Sequence, residues 1–404
     1  MSRRRDGRDR SRVVVVGGGY AGVMAANRLT QRDDVDVTLV NAREAFVERI
    51  RLHQRLVGSD DAVVDYADVL APRIRLVVGI VDRIDVDAGW LVLTDGPDLA
   101  YDHLVYAVGS GSAAPQVPGA GEHAYALTSL EESERLRGVL DALAPGAPVV
   151  VVGAGPSGIE TAAELAETGR WAVTLVCGPV VGPSLHPGSS QVAADRLRAL
   201  GVRVLDGPGS RVSAVGPDRV RLADGRELAS AATVWTAGFG VPDLARRSGL
   251  STDRAGRLLT DETLTSVDDP RVVGAGDAVA PSGAPFRMSC QAAGQLGAQA
   301  ADTVLAHLAG REPQPVHVGF VGQCLSLGRR EGLVQLSHRD DTVRRSRVSG
   351  RAAATLKEAI CWGTVAQLRF EARRPGLFVA PAWFSDPHRA GTVAAAARAV
   401  EPVR

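Results

Sequence analysis

VVVVGGGYAG at residues 13–22 and VVVVGAGPSG at residues 149–158 are the stretches on which the fold turns. They lie 136 positions apart, and at the same offset VTLV at 37–40 recurs as VTLV at 173–176. A start, an end and the interval between them are repeated, which marks a duplicated unit. In each copy four valines suit a short, buried parallel strand. Three glycines follow at GxGxxG spacing: Gly17, Gly19 and Gly22, then Gly153, Gly155 and Gly158. A helix-compatible stretch comes next, AGVMAANRLT or GIETAAELAE, and VTLV closes the unit. This is strand–turn–helix–strand, the βαβ unit.

The glycines have separate tasks. The first permits a tight turn, the second lets backbone approach a pyrophosphate, and the third lets helix pack on strand. The helix N-terminus then offers free N–H groups to phosphate. A lone GxGxxG says little, but here each copy follows a strand and opens a helix. An acid normally ends the second strand and binds a ribose 2′-hydroxyl. This chain has Asn41 there, and Cys177 in the second copy. No arginine lies between 171 and 195, so NADH and NADPH both remain open as substrate.

With 404 residues and 45% hydrophobic residues, the chain has room for several domains and a sizeable core. Lys+Arg and Asp+Glu balance at 46 each, so no basic field speaks for nucleic acid. Cys177, Cys290, Cys324 and Cys361 form no CxxC pair. That pattern suits a reducing cytoplasm and argues against dithiol–disulfide chemistry. The eight histidines lack HxxxH or HxH spacing, so no metal site is expected. The arginine-rich start, MSRRRDGRDRSR, imitates the charged part of a signal peptide, but glycines interrupt the apolar run behind it. No apolar run reaches the roughly 20 residues of a membrane-spanning helix.

A third glycine site, RVVGAGDAVA, begins at residue 271, and LVYAVGS (104–110) and TVWTAGFG (233–240) are apolar strands ending at glycines. Together these features resemble the two-dinucleotide-binding-domain flavoproteins, over about residues 12–310. The resemblance implies an α/β fold of two Rossmann-like domains. An FAD domain (12–115 and 246–312) would be interrupted by an NAD(P)H domain (116–245), and a smaller α+β region (313–404) would follow. It implies that Gly17, Gly18, Gly19, Gly22, Asn41, Gly276 and Asp277 contact FAD. Gly153, Gly155 and Gly158 would hold the nicotinamide dinucleotide.

Within this group the chain looks most like the type II NADH dehydrogenases, single-chain NADH:quinone oxidoreductases. Glu160 stands early in the second helix, where that family has a glutamate near nicotinamide, quinone and flavin. SCQAAGQLG (289–297) is similar to the family's AQxAxQQG helix, whose glutamines line the quinone pocket. Gln291 and Gln295 match two of them, whereas Leu296 and Cys290 depart from the pattern. At i and i+4 the two glutamines share a helical face. The resemblance implies hydride passage from NAD(P)H to FAD and two electrons to a quinone-like acceptor. Glu160 would handle a proton and the glutamines would bind the acceptor. The segment Glu48–His53 is a candidate flavin contact.

Other acceptors stay open: a ferredoxin or small molecule for a soluble NAD(P)H reductase, or sulfide chemistry using Cys177, Cys324 and Cys361. A redox sensor that binds FAD and NAD(H) is the non-enzymatic reading. In the C-terminal region VHVGFVGQCLSLGRREGLVQLS (316–337) predicts a strand pair, and ATLKEAICWGTVAQLRFEARRPG a helix ending before Pro375. Relatives use this region for homodimer contacts or for peripheral attachment to the inner membrane face. Its arginines, with Trp362, Phe370, Phe378, Trp383 and Phe384, suit either use.

Overall fold

The computed structural model describes residues 10–113, 115–378 and 383–400; the arginine-rich residues 1–9 lie outside them. The first unit runs β1 (Ser11–Val16), α1 (Tyr20–Leu29), β2 (Val35–Asn41), β3 (Arg75–Val78) and β4 (His103–Tyr106). The second runs β5 (Ala124–Ala126), β6 (Pro148–Val152), α2 (Pro156–Glu167), β7 (Ala172–Gly178), β8 (Arg203–Asp206) and β9 (Ala232–Trp235). Then come β10 (Val272–Gly274), α3 (Cys290–Leu308), β11 (Gly322–Ser326), β12 (Gly332–Ser337), β13 (Val343–Gly350) and α4 (Arg351–Arg373).

Two five-stranded parallel sheets result, ordered β10-β4-β1-β2-β3 and β5-β9-β6-β7-β8. The fold is α/β with Rossmann-like sheets. The duplication extends to register: Val13 pairs with Val37, and Val149 with Val173. The valine runs are buried because sheet faces are covered by helices and neighbouring segments. Each fully buried valine or leucine contributes about 1.5–3 kcal/mol. The chain crosses between the sheets twice, and the crossings pair as a short antiparallel ribbon, Gly111 opposite Gly240 and Ser112 opposite Phe239.

Helix α1 crosses α3 closely. A Cβ on Gly297 would lie 2.2 Å from the Ala21 carbonyl oxygen, so only glycine permits this approach. Arg28 ties three helices together, pairing with Asp302 at 2.7 Å and with buried Glu371 at 3.3 Å.

The C-terminal module is an antiparallel meander, β11-β12-β13, followed by α4. The expected strand pair and helix are both present. The third strand has no sequence signature, because the first five residues of VRRSRVSG are all exposed and no alternation shows. The module is bolted to α2 along its acidic edge. Arg329 binds Glu164 at 2.6 Å through its guanidinium and Glu167 at 2.6 Å through its backbone N–H. Among the described residues no helix is long and apolar enough to cross a membrane.

Candidate functional site

Both glycine turns have the same construction. Gly17 and Gly153 take positive φ, +104° and +109°, a region closed to most side chains. A Cβ on Gly22 would meet Gly17 O at 1.8 Å, and one on Gly158 would meet Gly153 O at 1.8 Å. A Cβ on Gly19 or Gly155 would meet nothing within 4 Å. The outer glycines therefore shape the turn, while the middle one leaves open space before the helix N-terminus. That is the concavity a pyrophosphate needs.

Asn41 occupies the strand end but faces inward. Its Oδ1 accepts from Gly18 N at 2.9 Å and its Nδ2 donates to Arg43 O at 3.0 Å. The side chain braces the first turn, so its amide is already engaged on both sides.

A cavity of about 1000 Å³ joins the two turns. Gly19 and Tyr20 line it from the first turn, Pro156 and Ser157 from the second, and Gly276 and Asp277 from the late glycine site. Asp277 accepts from Ser110 Oγ at 2.7 Å and from Ser289 N at 3.2 Å. Burial raises its pKa, and the Ser110 hydrogen bond opposes the rise. Arg49 donates to Ser110 Oγ at 3.1 Å, and burial lowers its pKa.

On the second unit's side the cavity meets a buried polar group. Glu160 accepts from Ser326 N at 2.9 Å and forms an ion pair with Lys357. His53 Nδ1 stands 3.8 Å from the other Glu160 oxygen, and His53 Nε2 is buried without a partner. The Lys357 ammonium is lowered to about 8, mainly by burial, with Cys361 and Glu358 opposing and the Arg51 charge adding to the fall. Burial holds His53 well below 6.5, helped by Lys357 and Arg329. At neutral pH the imidazole is therefore uncharged.

The two glutamines of α3 line the same cavity but differ in occupation. Gln295 is buried and bonded to Gly319 through both ends of its amide. Gln291 is partly exposed: its backbone carbonyl accepts from Gln295 Nε2 at 3.0 Å, and among the described residues its side-chain amide has no hydrogen bond. Cys290, Cys324 and Cys361 line the cavity, and Cys177 does not. Burial raises all three thiols, Cys324 to about 12.

Arg49 and His53, from the candidate segment Glu48–His53, both line the cavity, whereas sequence reading missed Lys357 and Ser110. Lys357 had an available signal: it is the only lysine among the 46 Lys and Arg residues of the chain. Among the described residues no group of three or more His, Cys, Asp or Glu is placed to hold a metal.

Comparison with known proteins agrees with this geometry. The profile of the pyridine nucleotide-disulphide oxidoreductase family matches residues 11–299, and the chain belongs to that family. It is an FAD-dependent oxidoreductase that uses NAD(P)H as substrate. An NADH dehydrogenase-like protein of Mycobacterium tuberculosis is 31% identical over 349 residues, spanning 79% of this chain and 86% of its own. A type II NADH:quinone oxidoreductase of Staphylococcus epidermidis is 28% identical over 397 residues, spanning 87% and 94%. The sulfide:quinone oxidoreductase of Aquifex aeolicus shares the fold, with a TM-score of 0.76 at 19% identity over 91% of this chain and 93% of that one. The open space at Gly19 and the partly buried carboxylate of Asp277 at one cavity fit FAD.

Proposed function

We propose that the chain passes electrons from NAD(P)H, by way of FAD, to a quinone-like acceptor. One observation carries this reading. A single cavity reaches both glycine turns, Asp277 and the Glu160–Lys357 pair, and the exposed apolar side chains Phe239, Val321 and Ile360 line it. Such walls suit a lipophilic acceptor. The relatives named NADH:quinone oxidoreductases support the same acceptor.

When bound, FAD supplies the hydride acceptor and two-electron donor that side chains lack. The chain's own residues do the rest. Gly19, in the turn shaped by Gly17, Gly18 and Gly22, would leave room for one pyrophosphate at α1, and Gly155, in the turn shaped by Gly153 and Gly158, for the other at α2. Gly276, at φ +75°, turns the backbone beside Asp277 at the cavity, where the carboxylate would accept from a ligand hydroxyl. A quinone takes up two protons with its two electrons: one is accounted for by the hydrogen that leaves NAD(P)H as hydride, and the other has to come from the protein or solvent. Lys357 Nζ holds a proton at neutral pH and releases it near pH 8, and Glu160 keeps that ammonium in place. Gln291 carries the free amide that can hydrogen-bond an acceptor oxygen. Gln295 supports it from below.

The test is anaerobic reduction by NADH and by NADPH, then mixing with menadione, a ferredoxin or sulfide. Fastest re-oxidation by menadione is expected. Re-oxidation by ferredoxin alone would replace the quinone with a protein acceptor. Full menadione turnover in Glu160→Gln would remove the proton role.

Sulfide is a second reading, favoured by the three cysteines at the cavity and the fold shared with a sulfide:quinone oxidoreductase. It stands behind quinone reduction because burial keeps these thiols protonated and poor nucleophiles. The C-terminal module also suits attachment to an anionic membrane face. Trp362, Phe370 and Leu377 are exposed there, with Arg344, Arg345 and Arg347 on β13. Co-flotation with anionic but not zwitterionic vesicles is the expected result.

A further inference from the structure

The second unit has Cys177 where an acid would normally meet the adenosine ribose. A thiol is a poor partner for a hydroxyl, so the question is what else stands at that rim. Strand β8 runs parallel beside β7, and its last residue, Asp206, is level with Gly178. The loops that leave the two strands are joined, because Gly207 N donates to Pro179 O at 3.2 Å. Asp206 therefore sits at the carboxyl edge of the sheet, one strand over from Cys177.

Three observations give this acid a role. Its residue is exposed, and among the described residues its carboxylate has no ion pair or hydrogen bond. The Cys177 thiol is raised to about 12, first by burial and then by the charge of Asp206. Arg198 also acts on that thiol, in the opposite sense and less strongly, and Asp195 holds Arg198 at 3.3 Å. The free charge beside Cys177 is thus negative, and the positive one is already paired.

We propose that Asp206 is the nucleotide-specificity residue of this chain: it accepts a hydrogen bond from the adenosine 2′-hydroxyl and repels a 2′-phosphate, so that NADH is preferred to NADPH. Discrimination here comes from a misplaced charge as much as from a good contact. The inference rests on the reading that the second glycine turn holds the nicotinamide dinucleotide.

The experiment uses the FAD-loaded protein and measures Kd for NAD+ and NADP+ by fluorescence quenching, together with KM for NADH and NADPH. The wild type should bind NAD+ at least about tenfold more tightly than NADP+, since a 2′-phosphate brings close to two negative charges against a carboxylate. Asp206→Asn should shrink that ratio to about threefold or less, with the change appearing in KM, and Asp206→Arg should invert it. Gly155→Val, whose side chain enters open space, separates the two claims. If it abolishes binding of both nucleotides while Asp206→Asn leaves the ratio unchanged, the specificity assignment alone is overturned. If Gly155→Val binds both normally, the placement of the nucleotide at the second turn fails first. A wild type that prefers NADP+, with the preference lost in Arg198→Ala, overturns the assignment in favour of Arg198.

Discussion

Gln295 and Gly319 exchange two hydrogen bonds: Gln295 Nε2 donates to Gly319 O at 3.1 Å, and Gly319 N donates to Gln295 Oε1 at 3.2 Å. One turn later Gln299 does the same with His317, its Nε2 donating to His317 O at 2.8 Å and its Oε1 accepting from His317 N. Helix α3 thus grips an extended segment as a neighbouring strand would.

The two glutamines of α3 should therefore separate on mutation. Gln295→Ala leaves the buried backbone groups of Gly319 without partners and should lower stability by about 1–3 kcal/mol. Gln291→Ala should leave stability within about 0.5 kcal/mol of wild type and raise KM for the quinone. Urea unfolding and steady-state kinetics read the two effects. Equal loss of stability in both variants would contradict this division.

The acceptor half-reaction should depend on Lys357. Its folded-state pKa is depressed to about 8, so the protonated form is present below that pH and lost above it. Re-oxidation by quinone should fall as pH rises through about 8. Arginine does not titrate in this range, so Lys357→Arg should abolish this limb even where the rate drops. A wild-type profile that is flat between pH 7 and 9 would remove the role. For folding the sign is opposite. The unfolded lysine, at 10.5, binds the proton more tightly, so the Lys357 contribution to stability rises with pH between about 8 and 10.5.

Glycines of one turn should fail in different ways. Gly19→Val enters open space, so the protein should fold with near-wild-type thermal stability and purify without flavin. Gly22→Ala drives a Cβ against Gly17 O and should cost about 1–3 kcal/mol of stability. Circular dichroism melting with the flavin-to-protein absorbance ratio distinguishes them. A flavin-loaded Gly19→Val protein would show that the first turn does not hold the cofactor.

Asp277→Ala removes the acceptor shared by Ser110 Oγ and Ser289 N. Flavin retention after dialysis should fall on the order of tenfold, because a hydrogen-bonded acceptor is lost from the cavity. Unaltered retention would place Asp277 outside the cofactor contacts.

The duplicated core was the most legible part of the sequence. Valine runs, glycine spacing and VTLV depend on local geometry alone, and the structure repeats them down to register. What the sequence hid depends on neighbours from far along the chain. Asn41 stands where a ribose-binding acid is expected, but Tyr66 and the Gly18 backbone crowd that place and its amide turns to brace the turn. Glu160 could have been a surface residue early in a helix. It is buried because Ser326 and Lys357, more than 160 positions away, close over it. Spacing put Gln291 and Gln295 on one face, but only the folded chain shows that Gly319 claims one of them.

The burial of Lys357 has a consequence for how the molecule can be modified. No other residue of the chain carries a side-chain amine, and this one is 3% exposed. Surface positive charge is carried by guanidinium groups, which resist acylation at neutral pH. Side-chain acylation by amine-reactive reagents therefore has one target, and that target opens onto the cavity. A small amine-reactive probe becomes a gauge of access, slowed by whatever nucleotide or acceptor fills the space.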